Sequence, residues 1–252
     1  MSVFITGASS GIGEACARVF AGAGFDLVLC ARRLKKLEAL SREIRASRPK
    51  PRVHAFELDV RERKKVDALV KANRAVFDTV DVLVNNAGLA SGLDFLQEGD
   101  PDDWDAMIDT NVKGLLYVTR AVIPGMIRRG EGHVVNIGSV AGKWVYPKGN
   151  VYCASKFAVQ ALTQGLRQDL HGTGLRVTEI APGLVETDFS RVRFHGDDVR
   201  ARSVYAGMEP LTPEDIAEAA LWCVQRPKRV DIQELVMFPT AQASVSLVDR
   251  KT

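Results

Sequence analysis

Apolar positions along this chain follow two alternating rhythms. Short β-branched runs, "SVFIT" from Ser2, "DLVLCA" from Asp26, "RVHAFELDV" from Arg52, "DVLVNNAG" from Asp81, "HVVNIGS" from His133, "LRVTEIAPG" from Leu175 and "ELVMF" from Glu234, are separated by longer segments with helical apolar spacing. Strands that alternate with helices in this way predict a parallel sheet covered by helices on both faces. The rhythm runs almost from end to end, without a low-complexity linker or a solenoid repeat, so it predicts one domain over residues 1–252. Two places break it. Residues 186–213, "ETDFSRVRFHGDDVRARSVYAGMEPLTP", carry no strand signal and are long for a connection, which predicts a substrate lid. The tail after Phe238 is short, polar and irregular; fraying and packing on a neighbouring subunit are both open.

Composition narrows the class. With 46% hydrophobic and 26% charged residues the chain is an ordinary globular one. A net charge of +3 is too small for a nucleic-acid or membrane footprint, so the expected partner is a small molecule. The basic run "RERKK" at 61–65 precedes a helical pattern and reads as a solvated helix face. The four cysteines, Cys16, Cys30, Cys153 and Cys223, are scattered without metal-ligand spacing, so no metal is expected and reduced thiols fit a cytosol-like compartment. Cys153 has no neighbouring histidine base and is not expected to be a nucleophile. With no export-type segment and no apolar run of membrane-spanning length, a cytoplasmic protein is expected.

The first strand-to-helix junction reads "SVFITGASSGIGEACARVFAGAG". Gly7, Gly11 and Gly13, with Ser9, Ser10 and Ile12 between them, predict a loop whose backbone approaches a pyrophosphate at a helix N-terminus. The spacing is G-x-x-x-G-x-G, a departure from the usual dinucleotide fingerprint. At the end of the second strand, "LCARRLKKLEAL" offers no carboxylate for a ribose hydroxyl but places Arg32 and Arg33 there, with the Ser9 hydroxyl as a further donor. Guanidinium groups suit a 2′-phosphate, so NADP is expected over NAD.

A second constellation lies in "GNVYCASKFAVQAL". Tyr152 and Lys156 stand four residues apart and share one helix face. Taken alone, the pair reads either as a site or as a packed ring beside a lysine that snorkels to water. Together with "TGASSGIG", "NNAG" and "NIGS", "YCASK" resembles the short-chain dehydrogenase/reductase family across nearly the whole chain. That resemblance implies an α/β, single-domain, doubly wound Rossmann fold with a mostly seven-stranded parallel sheet. It places a catalytic tetrad on Asn111, Ser139, Tyr152 and Lys156. The chemistry suits these types: a free tyrosine, with a pKa of about 10, is a poor base at neutral pH and requires nearby positive charge to become one. Lys156 and an oxidised nicotinamide are the expected sources. The family's pattern also gives Lys156 the nicotinamide ribose, Ser139 the substrate oxygen and Asn111 a proton-relaying water. It sets Asp59 and Val60 beside the adenine and Asn86, Ala87 and Gly88 along the cofactor cleft. Pro182, Gly183 and Val185 fall at the carboxamide and Thr187 near the phosphates, while Asn85 braces the sheet.

Within the family the finer resemblance is to NADP-dependent serine and 3-hydroxy acid dehydrogenases, through "NNAGLASG", residues 103–142, "YPKGNVY", "APGLVETDFSRVRFHGDD" and "LTPEDIAEA". It implies a homotetramer acting on serine, allo-threonine or 3-hydroxyisobutyrate, and on malonic semialdehyde in reverse. In "GSVAGKWVYPKG", Lys143 and Lys148 are expected to add positive charge near the substrate mouth. A substrate carboxylate calls for a cation, and Arg193 in the lid is the candidate; pairing with Asp197 or Asp198 is the alternative. A broad carbonyl or 3-oxoacyl reductase, and a non-catalytic NADP-sensing protein, are the competing functions.

Overall fold

Seven strands appear in the computed structural model, which describes residues 1–46 and 51–251. They are β1 (Ser2–Thr6), β2 (Asp26–Ala31), β3 (Val53–Glu57), β4 (Val82–Asn85), β5 (Gly132–Ile137), β6 (Leu175–Pro182) and β7 (Glu234–Met237), each inside or overlapping a β-branched run of the sequence. All pair in parallel, in the order β3-β2-β1-β4-β5-β6-β7.

The strand pleat explains the continuous apolar runs. Val3, Ile5, Leu27 and Leu29 point to one face, where α1 (Gly11–Gly22), α2 (Leu34–Ala46) and α10 (Pro213–Val224) supply Phe20, Leu37 and Ile216. Phe4, Val28, Leu83 and Val134 point to the other, against α3 (Arg63–Ala72), α4 (Arg74–Phe77), α6 (Leu115–Arg129) and the end of α7 (Asn150–Asp169). Both faces are buried, so strand alternation disappears from the sequence. In "LTPEDIAEA" the start of α10 is fixed by a capping box: Thr212 Oγ1 accepts from the Asp215 N–H, and the Asp215 carboxylate accepts from the Thr212 N–H at 2.7 Å.

Strand order reverses between β1 and β4, and a crevice opens beyond their carboxyl ends. Two irregular features shape it. A π-turn, Asp109–Gly114, links α5 (Pro101–Ile108) to α6 and carries Asn111 inward. The lid region folds as α8 (Phe189–Arg193) and α9 (Asp198–Ser203), with no strand beyond the isolated bridge from Val185 to Leu211. The tail does not fray. It turns back on its own chain through a bridge between Gln242 and Val248, and the Lys251 N–H donates to the Gly207 carbonyl at 2.8 Å. All four cysteines are buried, and burial raises the Cys16 and Cys30 thiols to about 12.

Candidate active site

The glycine loop is held by the turn that follows β4. Thr6 Oγ1 accepts from the N–H groups of Asn86 and Ala87, both at 3.0 Å, and the Asn86 amide donates to the Thr6 carbonyl at 2.9 Å. Gly7 and Gly11 take φ of 67° and 53°, and a Cβ on Gly7 would stand 2.9 Å from Ala87 Cα. Gly13 behaves differently from the sequence expectation. It lies off the crevice wall, where a Cβ would meet the Asn86 side-chain amide and, at 2.6 Å, the Gly7 carbonyl oxygen, so its missing side chain lets α1 pack against the glycine loop and Asn86.

A cavity of about 760 Å³ runs from this loop to α8. Gly7, Ser9, Ser10, Gly11, Ile12, Arg32, Arg33, Asp59 and Val60 line one end, and Asn86, Ala87, Gly88, Pro182, Gly183, Val185 and Thr187 line its length. Arg33 is fixed in advance: its Nε and Nη2 donate to Ser9 Oγ at 3.2 and 3.1 Å, and Nη2 donates to Ser10 Oγ at 2.6 Å. Burial alone would raise the Asp59 carboxyl, but the Arg61 guanidinium hydrogen-bonded to it holds it below the ordinary range. The cavity therefore has an arginine-rich end of the kind a phosphate fits, and its length suits a dinucleotide.

Ser139, Tyr152 and Lys156 share the cavity wall where the sheet ends. Ser139 follows β5 and caps a short turn, its Oγ accepting from the Ala141 N–H at 3.1 Å. Lys156 is buried, and its Nζ donates to the Ile137 carbonyl at 3.0 Å. Asn111 does not line the cavity. It sits 2% exposed behind the wall, donating to the Leu89 carbonyl at 2.8 Å and to Ser155 Oγ at 3.0 Å while its Oδ1 accepts from the Leu89 N–H. Only Gly88 separates it from Lys156: a Cβ there would be 3.2 Å from Asn111 Oδ1 and 3.7 Å from Lys156 Nζ. As expected, Asn85 braces the sheet, donating to Thr119 Oγ1 and Asn136 Oδ1.

In the protein alone, burial dominates both members of the pair. Burial pushes the Lys156 ammonium down to about 8, with the Glu179 charge pulling it back. Burial also pushes the Tyr152 phenol up, reinforced by Tyr146, while a hydrogen bond from Ser139 and the Arg193 guanidinium pull it down. Lys156, its Nζ 6.0 Å from the Tyr152 ring centre, is not what lowers the phenol in the protein alone. Desolvation outweighs a cation held at that distance.

At the far end Arg193, at the end of α8, lies over Tyr152, with Cζ 5.7 Å from the ring centre. Its Nε donates to the Gly92 carbonyl at 3.1 Å and its Nη1 to Tyr146 Oη at 2.9 Å, and Nη2 is buried with no partner among the described residues. The alternative pairing is not made: Arg191 takes Asp198 at 3.0 Å, and Asp197 caps α9. Lys143 and Lys148 are not at the mouth. Lys143 turns inward to Glu179 and Glu234 at 3.0 and 2.9 Å, because those carboxylates lie at the adjoining strand edge, and Lys148 projects outward over the Phe95 ring. Tyr146, Tyr205 and Gln242 also line the cavity, and the sequence reading singled out none of them. Tyr146 lay within a quoted segment, but nothing marked its hydroxyl. Gln242 comes from the irregular tail, where its Oε1 accepts from the Leu184 N–H at 2.9 Å.

A family model described as short chain dehydrogenase matches residues 1–198. An NADP-dependent 3-hydroxy acid dehydrogenase of Salmonella typhimurium is 46% identical over 98% of both chains. A sulfoacetaldehyde reductase of Chromohalobacter salexigens is 49% identical over 96% of this chain and 94% of its own length. Among solved structures, the closed form of a serine dehydrogenase complexed with NADP+ superposes with a TM-score of 0.93 at 43% identity, covering 100% of each chain.

Proposed function

This chain belongs to the short-chain dehydrogenase family, and from that premise we propose that it is an NADP-dependent oxidoreductase acting at the 3-hydroxyl carbon of a small acid. The substrates are serine, allo-threonine or 3-hydroxyisobutyrate, with malonic semialdehyde in the reverse direction. The observation that carries the reading is Arg193, which lines the cavity beside Tyr152 and whose buried Nη2 has no hydrogen-bond partner among the described residues. A guanidinium with a free edge fits a carboxylate, and an unpaired buried donor is costly until one arrives.

Bound NADP supplies the hydride acceptor or donor and, when oxidised, positive charge beside the phenol. Arg32, Arg33, Ser9 and Ser10 hold its 2′-phosphate, and Gly7, Gly11 and Ile12 its pyrophosphate. Asp59 and Val60 flank the adenine. Asn86, Ala87 and Gly88 line the cleft, with Pro182, Gly183, Val185 and Thr187 around the carboxamide and phosphates. Tyr152 takes the hydroxyl proton in oxidation and returns it in reduction, and Ser139 hydrogen-bonds the same oxygen. Lys156 binds the ribose hydroxyls and carries protons away from Tyr152. Asn111, behind the wall, orders the water on that route. Residues 186–213 act as a lid that brings Arg193 to the substrate. The subunits assemble as a homotetramer in the cytoplasm; among the described residues no helix is long and apolar enough to cross a membrane.

A second reading is favoured by the sulfoacetaldehyde reductase relatives at 49% and 47% identity: a sulfonate presents the same charge to Arg193 as a carboxylate. One experiment separates these. Nicotinamide absorbance is followed with NADP+ or NAD+ and L-serine, L-allo-threonine, 3-hydroxyisobutyrate and 3-hydroxypropionate, and with NADPH and sulfoacetaldehyde. NADP+-dependent oxidation of the hydroxy acids supports the first reading. Turnover of sulfoacetaldehyde alone supports the second, and turnover only of ketones or acyl thioesters replaces both with a broad carbonyl or 3-oxoacyl reductase.

A further inference from the structure

Behind the proton-handling pair lies a second buried charge cluster. Glu179 on β6 is 2% exposed, and its Oε2 accepts from Lys143 Nζ at 3.0 Å. Lys143 also reaches Glu234 on β7 at 2.9 Å, and the Gln160 side-chain oxygen on α7 accepts from it at 2.8 Å. The second carboxylate oxygen of Glu179 is buried with no hydrogen-bond partner among the described residues. It presses against Gly138, where a Cβ would meet the Glu179 Cδ at 2.9 Å, so only glycine leaves room for the carboxylate there. Gly138 joins Ile137, whose carbonyl receives Lys156 Nζ, to Ser139. One strand end thus separates a buried carboxylate from a buried ammonium that makes no direct ion pair among the described residues.

We propose that Glu179 is a positioning residue for the reaction: its carboxylate is the counter-charge that keeps the Lys156 ammonium beneath Tyr152, and Lys143 sets how much of that charge Lys156 feels. The groups facing Glu179 are Lys143 from the turn after β5, Glu234 from β7 and Lys156 from α7; burial raises its carboxyl, and Lys143 pulls it back. Glu179 is also the charge that opposes the downward push of burial on Lys156. One lysine shared between two carboxylates leaves a net negative charge, and that charge is what a desolvated ammonium requires.

The proposal rests on Tyr152 and Lys156 as the proton-handling pair, so its test is independent of turnover. In cofactor-free protein with lysine ε-carbons labelled with 13C, the Lys156 resonance is assigned by Lys156→Gln and titrated by NMR. Glu179→Gln lowers the Lys156 midpoint by about one pH unit. Glu234→Gln, at a half-exposed position, frees Lys143 to neutralise Glu179 alone and lowers the midpoint by less. An unchanged midpoint in folded Glu179→Gln overturns the proposal; should that variant not fold, an unchanged midpoint in Glu234→Gln does so. Where the reaction is measurable, the alkaline limb of the kcat profile moves with the NMR midpoint. Full activity in Tyr152→Phe would instead sink the reading of the pair and leave this titration standing.

Discussion

The two ends of the long cavity are built in opposite ways. The arginine-rich end is local: Gly7 to Gly11 and Arg32 to Arg33 come from two consecutive βα junctions, and Arg33 is tied to Ser9 and Ser10. The lid end is assembled from distant segments. Arg193 bonds Gly92 and Tyr146, 101 and 47 residues away, and Gln242 reaches Leu184 across 58. An end held by adjacent loops suits a ligand common to many enzymes. One held by long-range contacts varies when any of several segments changes, so it is where substrate choice resides.

The largest effect should come from the point where the ends meet. Tyr152→Phe removes the proton donor while keeping the ring packed on Phe189, whose centre lies 5.6 Å away. We expect kcat to fall about 10³-fold with NADPH affinity unchanged, measured by steady-state kinetics and fluorescence titration. Equal losses in cofactor binding and kcat would show that the two ends are not separable. Arg193→Ala comes next, with kcat/KM for acids down about 10²-fold and uncharged esters little affected. Equal losses on acids and esters would reduce Arg193 to a loop-ordering residue. Arg33→Ala should weaken NADP+ about tenfold and leave NAD+ unchanged, since only one of them carries the 2′-phosphate. A parallel loss for NAD+ would mean that Arg33 merely stiffens the glycine loop.

The same contrast governs how much the sequence disclosed. The seven strands and the glycine loop are legible because buried parallel strands and tight βα turns impose local residue types. Tyr152 and Lys156 are legible because a helix fixes their spacing. The inward turn of Lys143 was not, since nothing near it announces Glu179 and Glu234 on other strands. Gly13 looks like Gly7 in a spacing rule, yet only the packed helix shows that it faces the Gly7 backbone and the Asn86 side chain. Desolvation of Tyr152 is a property of the assembled site, so the spacing of Tyr152 and Lys156 does not disclose that burial raises the phenol in the protein alone.

The tail provides the finest test of the difference between the ends. Gln242 is 5% exposed; its Oε1 accepts from the Leu184 N–H, and its side chain packs on Gly183. Those two residues lie between the β6 strand end and the lid, so Gln242 acts on the path that carries α8 toward Tyr152. Gln242→Leu keeps the volume and removes one acceptor, which leaves a backbone donor unpaired at a cost of about 1 kcal/mol. Because that donor sits beside the cavity, the loss should appear as a roughly fivefold rise in KM for the acid, with kcat and NADP+ affinity little changed. Stability should fall by a similar small amount in a urea titration. If KM is unaffected while stability falls, the tail only closes the fold, and substrate control stays with Arg193 and its neighbours. If NADP+ affinity falls instead, strain at Gly183 reaches the cofactor wall, and the two ends share a support that their separate hydrogen bonds do not reveal.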